Sequence, residues 1–374
     1  MHLLSLSLEN VRSYPRLALD FSGTMECFVG PNGSGKTNLL EAISMLSHIT
    51  SCRGAEDIDV LRWGEKYFRI RADAIDVSGE RKSFEIVREF APRVRSACFA
   101  NDIRVSAGDF FGLLPTVIFL PQDLQLFSGP PAERRRFLDR VLVQVRPGYV
   151  REFQAYQRIL KQRNALLKRI TAGHAQRGDL VPWDAALVRH GAAVTLARLE
   201  LLETLTMSLL SETRSLGESW SEVTLVCDRK GTARTAEALE QELLSLLLER
   251  LNQDVLLQST SVGPHRDDWW VRVDGRDLCT FASRGQERVM LLALLFLEIS
   301  YVELRRGERP VVLLDDVCSE LDEAHCEHLL SVLCDAHVFL TSTHALPKLS
   351  ARQCWEVQQG TVKRSTQKDA VTHR

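Results

Sequence analysis

Gly30, Pro31, Asn32, Gly33, Ser34, Gly35, Lys36 and Thr37 satisfy the pattern G-x-x-x-x-G-K-[ST] without a mismatch. Glycines let successive backbone N–H groups converge on an anion, so the stretch predicts a loop that holds a nucleoside triphosphate. In that reading Lys36 neutralises the outer phosphates and the Thr37 hydroxyl is a magnesium ligand. Asn38, Glu41 and the rest of the following helix hold the geometry rigid. A second set of groups lies far along the chain, where Val311, Val312, Leu313 and Leu314 run into Asp315 and Asp316. An apolar strand ending in two carboxylates delivers the first, Asp315, to the magnesium shell and leaves the second, Asp316, to orient an attacking water. Alone, two acids at a strand end are equally well read as a turn. Beside a phosphate loop they read as the second half of an ATP site.

The elements that must position these groups are visible in the periodicity. Met25 to Val29 is a short apolar strand before the loop, and Leu39, Leu40, Ile43 and Leu46 recur at helical spacing after it. Leu3, Leu4, Leu6 and Leu8, then Leu17, Leu19 and Phe21, alternate on either side of a turn at Arg12 to Pro15, which predicts a hairpin leading into the phosphate-loop strand. Phe68, Ile70 and Ala72 alternate on one side of Ser78 and Gly79, and Phe84, Ile86 and Phe90 on the other, as antiparallel strands do. Val117 to Leu120 is a short buried strand ending at Pro121, Gln122 and Asp123. From Ala132 to about Leu257 the pattern turns mostly helical, with Leu202, Leu205 and Leu209 on one face and Leu239, Leu243, Leu246 and Leu247 on another. A strand at Glu222 to Cys227 interrupts it. Strands return at Trp269 to Val273, followed by an Asp274 and Gly275 turn. The expected fold class is α/β: a P-loop head with a mixed sheet and an antiparallel β subdomain, plus an inserted, mainly helical arm lobe. Residues 1–131 carry the phosphate loop, 132–257 the arm and 258–374 the returning part of the head.

Size and charge narrow the class. The 374 residues suffice for two domains or one domain with a large insertion, and 45% hydrophobic with 26% charged residues is globular composition. A formal net charge of -2 confines any nucleic-acid site to a local patch. The nine cysteines are odd in number and include no C-x-x-C pair, which argues against a disulfide framework and a zinc site and suits a reducing cytoplasm. Val289 to Leu297, the most apolar stretch, is far short of the ~20 residues of a membrane span.

Ser283, Arg284, Gly285 and Gln286 stand immediately before a helix predicted over Glu287 to Leu304 and resemble the ABC-type signature sequence. A helix N-terminus led by small residues exposes N–H groups to phosphate, although Ser283 is also an ordinary N-cap. In that superfamily the signature of one subunit completes the site of another, which implies a dimer with two ATP molecules between heads. Ser319, Glu320, Leu321 and Asp322 match its subunit-contacting loop, and Gln122 follows a strand as the superfamily's magnesium-sensing glutamine does.

The order of VRSY (11–14), GPNGSGKTNLLEAI (30–43), LPQDLQLFSGPP (120–131), ERRRFLD (133–139), LKQRNALLK (160–168), TSVGPHRDD (260–268), ASRGQER (282–288) and LLDDVCSELD (313–322) is similar to that of the RecF family. The resemblance spans nearly the whole chain. It implies a SMC-like, weakly active, DNA-modulated ATPase that uses ATP and Mg2+ as a switch and dimerises on ATP. It further implies a cytoplasmic protein that binds gapped DNA without sequence preference and acts with RecO and RecR to load RecA. Asp316, Gln122, Ser283 and Gly285 are the catalytic candidates; the loop residues 30–37 with Asn38 and Arg12 are the nucleotide candidates; Thr37 and Asp315 are the metal candidates. Family members usually carry Glu where this chain has Gln122, and no histidine follows the last core strand unless His344 serves. Arg12 matches the arginine that reaches the nucleotide in SMC-like heads, or is simply a solvated turn residue. A basic run that includes Arg134, Arg135, Arg136, Lys161 and Arg163 offers phosphate contacts on the arm, unless its members pair internally. His265 and Arg266 form either a structural turn or a ligand contact. The rival readings are the nucleotide-binding subunit of an ABC transporter and a P-loop kinase, and neither explains the arm segments.

Overall fold

The structure, a computed structural model, describes residues 1–344 and 353–365. In chain order the strands are β1 (His2–Val11), β2 (Tyr14–Asp20), β3 (Met25–Val29), β4 (Tyr67–Ile75), β5 (Arg81–Glu89), β6 (Arg95–Ala100), β7 (Ile103–Val105), β8 (Thr116–Phe119), β9 (Val223–Asp228), β10 (Asp268–Val273), β11 (Arg276–Asp277), β12 (Val311–Leu314), β13 (Val338–Ser342), β14 (Gln353–Gln358) and β15 (Thr361–Arg364). The chain divides into two compact units, one formed by Met1–Leu124 with Glu298–Arg374, the other by Gln125–Leu297.

The first unit holds two sheets. One has the order β15-β14-β3-β13-β12-β8, parallel except for β15. β8, β12 and β13 are buried along their whole length, as expected of parallel strands covered on both faces. The other sheet, β2-β1-β4-β5-β6-β7, is antiparallel throughout. The predicted hairpin is β1 with β2, and the turn at Ser78 and Gly79 joins β4 to β5, but β3 leaves the hairpin and enters the parallel sheet. Helix α1 (Lys36–His48) packs against strands of both sheets, which explains why almost all of its residues are buried, including Glu41, Ser44 and Ser47. Its two-sided burial hides the one-sided stripe that a surface helix would show.

In the second unit the helices Pro131–Val145, Tyr149–Thr171, Val181–Ser215, Ala236–Glu249 and Leu251–Leu257 pack with a three-stranded sheet of order β11-β10-β9. This unit extends beyond the lobe expected at 132–257. β9 pairs antiparallel along the whole of β10, and the buried Trp269 indole donates to the Arg134 carbonyl at 2.8 Å. The chain following Leu257 is thereby tied to the helices, and the boundary falls inside the helix Arg284–Arg306.

The cysteines depart from expectation at one place, where Cys318 and Cys326 are bridged. The bridge joins the short helix Val317–Glu320 to the first turn of the helix Glu323–Val332, whose N-cap, Asp322, turns the chain back on itself. None of the other seven cysteines is disulfide-bonded, so the bridge is a single local link and no framework. Among the described residues no helix is long and apolar enough to cross a membrane.

Candidate nucleotide site

The phosphate loop runs from β3 into α1 as predicted, and its shape is imposed by neighbours. Gly30 lies so close to β14 that a Cβ there would meet the Val357 carbonyl at 2.2 Å. Gly35 has φ 110°, and a Cβ on it would strike Ser13 Oγ at 2.8 Å and the Tyr14 hydroxyl at 2.9 Å. The hairpin turn therefore braces the loop, with the Tyr14 hydroxyl donating to the Gly35 carbonyl at 3.0 Å and the Asn38 amide to Ser13 Oγ at 3.3 Å. No side chain caps the N-terminus of α1, and Ser34 Oγ is buried without a hydrogen-bond partner. An uncapped helix end, an unsatisfied buried hydroxyl and a glycine cradle are the features a polyphosphate fills. Lys36 is folded into the loop, donating to the carbonyls of Gly30 at 2.6 Å and Pro31 at 2.9 Å. Burial lowers its pKa, and the charges of Asp316 and Asp315 oppose that shift.

The residues predicted as metal ligands meet, although they are far apart in the chain. Thr37 Oγ1 lies 3.0 and 2.9 Å from the two carboxylate oxygens of Asp315. Burial raises the Asp315 pKa, and hydrogen bonds from Thr341 and Thr37 hold it back. Asp316 turns the chain out of β12 with φ 48°, and its N–H donates to Thr341 Oγ1 at 2.9 Å. Among the described residues no group of three or more His, Cys, Asp or Glu converges. A cation held by Thr37 and Asp315 would therefore take its other ligands from phosphate and water, the usual arrangement for magnesium.

Arg12 is not a solvated turn residue. Its guanidinium makes a bidentate pair with Glu41 at 2.9 and 2.8 Å and donates to the Asp59 carbonyl at 2.6 Å. The pair with Glu41 is the chief cause of its raised pKa. Glu41 is 1% exposed and also accepts from Ser51 Oγ, so α1 is locked to the hairpin turn. Beside this clamp an open cleft is lined by Arg12, Ser13, Asn38, Arg53, Arg62 and Trp63. The last three were not singled out from the sequence. The signal in the sequence is slight, a tryptophan between Arg62 and Gly64; the structure leaves its side chain 99% exposed.

Several predicted residues are placed elsewhere. Gln122 lies in an exposed 3-10 turn, where its side-chain amide donates to the Cys52 carbonyl at 3.3 Å and not to Thr37 or Asp315. Ser283 and Gly285 belong to the second unit, both exposed. There Ser283 forms a reciprocal cap with Gln286: Ser283 N–H donates to Gln286 Oε1 at 3.1 Å and Gln286 N–H to Ser283 Oγ at 3.3 Å.

Two of the DNA candidates are internal. Arg163 is fully buried and bonds Asp184, Asp254 and Thr260 at 2.6, 2.7 and 2.8 Å, so it cannot reach a phosphate. Arg134, 8% exposed, forks onto Asp268 and donates to the Leu126, Phe127 and Gly129 carbonyls. Arg135 is half-buried against the Asp267 carbonyl, and Arg136 is exposed in a pair with Glu133. Lys161 is exposed, as are Arg158, Lys168 and Arg169 on the same helix. His265 is structural: its ring nitrogens engage the Tyr156 hydroxyl at 2.6 Å and the Thr260 carbonyl at 3.0 Å, and burial pushes its pKa down to about 4.

The model of the RecF/RecN/SMC N terminal domain matches residues 2–364. The chain is 35% identical to the DNA replication and repair protein RecF of Heliobacterium modesticaldum, over 98% of this chain and 100% of that protein. It is 38% identical to RecF of Moorella thermoacetica, over 98% and 97% of the respective chains. A solved structure of the recombination mediator protein RecF with ATP, in the RecFOR pathway, superposes with a TM-score of 0.89 at 28% identity, covering 98% of each chain. The Smc head domain of Pyrococcus furiosus shares the fold alone, at 13% identity and a TM-score of 0.53. A phosphate loop whose threonine meets the acid of a distant strand is thus set in a chain matched along nearly all its length, and that chain belongs to the RecF family.

Proposed function

We propose that this protein is an ATP-switched, DNA-binding ATPase of recombinational gap repair. The observation that carries the reading is the contact between Thr37 and Asp315, which assembles a cation-binding oxygen pair at the phosphate loop. In this reading Lys36 and the N-terminus of α1 hold the triphosphate, Thr37 and Asp315 hold Mg2+, and Asp316 orients the attacking water. The cleft beside Arg12 takes the nucleoside end. Bound magnesium ATP supplies a phosphoanhydride bond whose hydrolysis times the switch. Gln122 is left out of this set.

The RecF proteins of Heliobacterium modesticaldum and Moorella thermoacetica are named for DNA replication and repair, and the ATP-bound RecF is described as a recombination mediator in the RecFOR pathway. On that likeness we extend the reading to a cytoplasmic protein that acts with RecO and RecR to load RecA at gaps. Hydrolysis is slow and modulated by DNA. ATP closes a homodimer in which the exposed Ser283 and Gly285 of one copy face the phosphate loop of the other. DNA phosphates are met by the exposed Arg158, Lys161, Lys168 and Arg169 of the arm, and by the exposed Arg136. The family membership leaves the transporter and kinase readings without support.

Light scattering tests the switch. With ATP and magnesium the wild-type protein is expected to double in mass, and Ser283→Arg to bind ATP while staying at the starting mass. A wild-type protein that binds ATP with no change in mass would refute the switch. A Ser283→Arg variant that dimerises normally would remove Ser283 from the interface.

A further inference from the structure

One hydroxyl joins both acids of the candidate site. Thr341, in β13 next to β12, is 1% exposed. Its Oγ1 donates to Asp315 Oδ1 at 2.7 Å and accepts the Asp316 N–H at 2.9 Å. The direction of this relay is forced by chemistry: an ionised carboxylate only accepts, so the hydroxyl proton goes to Asp315 and a lone pair remains for the Asp316 amide. Asp316 needs that acceptor. It leaves the strand at φ 48°, a conformation that a non-glycine residue holds only where its surroundings impose it. A hydroxyl is otherwise unnecessary at this position. Valine has the same shape and strand preference as threonine and would fill the buried site equally well.

We propose that Thr341 is a positioning residue that keeps the cation-holding carboxylate of Asp315 and the water-orienting carboxylate of Asp316 in register. This rests on the ATPase reading above. Thr37 grips Asp315 from the phosphate-loop side and Thr341 from the sheet side, so the carboxylate is held between two hydroxyls. Losing the second grip frees Asp315 to rotate about its side chain and frees the Asp316 backbone to relax from its turn. The defect should therefore lie in cation use and turnover, with nucleotide affinity spared.

The test compares Thr341→Val, Thr341→Ser and wild type as full-length chains. In Thr341→Val the amide of Asp316 should exchange with deuterium about ten-fold faster in the nucleotide-free protein, since its acceptor is gone. The magnesium concentration for half-maximal hydrolysis should rise several-fold and kcat fall about ten-fold, with KM for ATP within two-fold of wild type. Thr341→Ser keeps the hydroxyl and should restore all three. If Thr341→Val fails to fold, Thr341→Ala, smaller and without either γ-methyl, takes its place in the same measurements. Wild-type exchange and kinetics in the folded Val or Ala variant would overturn the proposal and leave the ATPase reading intact. So would a Thr341→Ser variant as impaired as Thr341→Val. A wild-type chain that neither binds nor hydrolyses ATP would sink both.

Discussion

The Asp316 charge opposes the burial that lowers the Lys36 pKa, so the two share one local field, yet their substitution should fail in different ways. Lys36→Met removes a charge that would lie on the outer phosphates, so ATP affinity should drop ~10-fold or more, the scale of a lost charge-assisted hydrogen bond. Asp316→Asn should keep ATP affinity within about two-fold and slow hydrolysis by ~100-fold or more, the usual contribution of a general base, leaving a long-lived dimer. Filter binding and single-turnover hydrolysis separate the two; equal loss of binding in both would place Asp316 in the magnesium shell. A second residue-scale prediction concerns His337, buried beneath β1. Its Nδ1 accepts the Leu3 N–H at 2.9 Å and its ring stacks on His2 at 3.8 Å. Burial, with small contributions from His2 and the N-terminal amine, pushes its pKa down to about 2. The unfolded chain therefore takes up a proton on this residue, near the ordinary 6.5, that the folded chain refuses. The stabilisation is complete above pH 6.5 and is lost as pH falls toward 2, with a slope of at most ~1.4 kcal/mol per pH unit. Urea unfolding at pH 7 and pH 5 should show a smaller difference for His337→Gln than for wild type.

At the scale of elements, the helix Tyr149–Thr171 has two basic populations with opposite roles. Arg163 sits at the centre of a buried network with Asp184 and Asp254, and its remaining amino group has no partner. Removing it leaves the fully buried Asp254 and the largely buried Asp184 without their charge partner. Arg163→Ala should destabilise the second unit by ~3–5 kcal/mol, measured as a lowered Tm or urea midpoint. Lys161→Ala, on the exposed side, should fall within ~0.5 kcal/mol of wild type. Periodicity shows that the element is a helix but not which of its arginines turn inward. The acids that claim Arg163 lie in the helices Val181–Ser215 and Leu251–Leu257, and no local spacing announces them. The strands β14 and β15 are weakly marked in the sequence for a different reason. Alternation in Gln353 to Gln358 and the Gln359–Gly360 turn do mark a hairpin, but the polar residues of β14 and of the short edge strand β15 weaken the signal.

For the whole molecule, a net charge of -2 means that DNA affinity must come from the placement of charge. If closing the dimer brings two arms to one duplex, the phosphates neutralised double, and log affinity should fall with log salt at about 0.9 per phosphate contacted. Replacing Arg158, Lys161 and Lys168 together by Ala should lower that slope while ATP-driven dimerisation and ATP affinity stay at wild-type values. Fluorescence anisotropy across a salt series on gapped duplex measures it. An unchanged slope would move the DNA surface off this helix.

By itself the sequence determined the phosphate loop, the acid pair, the helical insertion and the family, because each is written in residues close together: glycines at fixed offsets, a short apolar run, a period of 3.6 or of 2. Only the tertiary structure decided which groups meet. Thr37 and Asp315 are distant in sequence, and their contact follows from the parallel register that sets β12 beside β13 and β13 beside β3. The same register brings Thr341 between the two acids, and separate long-range contacts turn Arg12 onto Glu41 and bury Arg134 and Arg163, which a linear count of charge offers to DNA. Long-range pairing and burial set the protonation and availability of a side chain, and neither is a property of its neighbours in the chain.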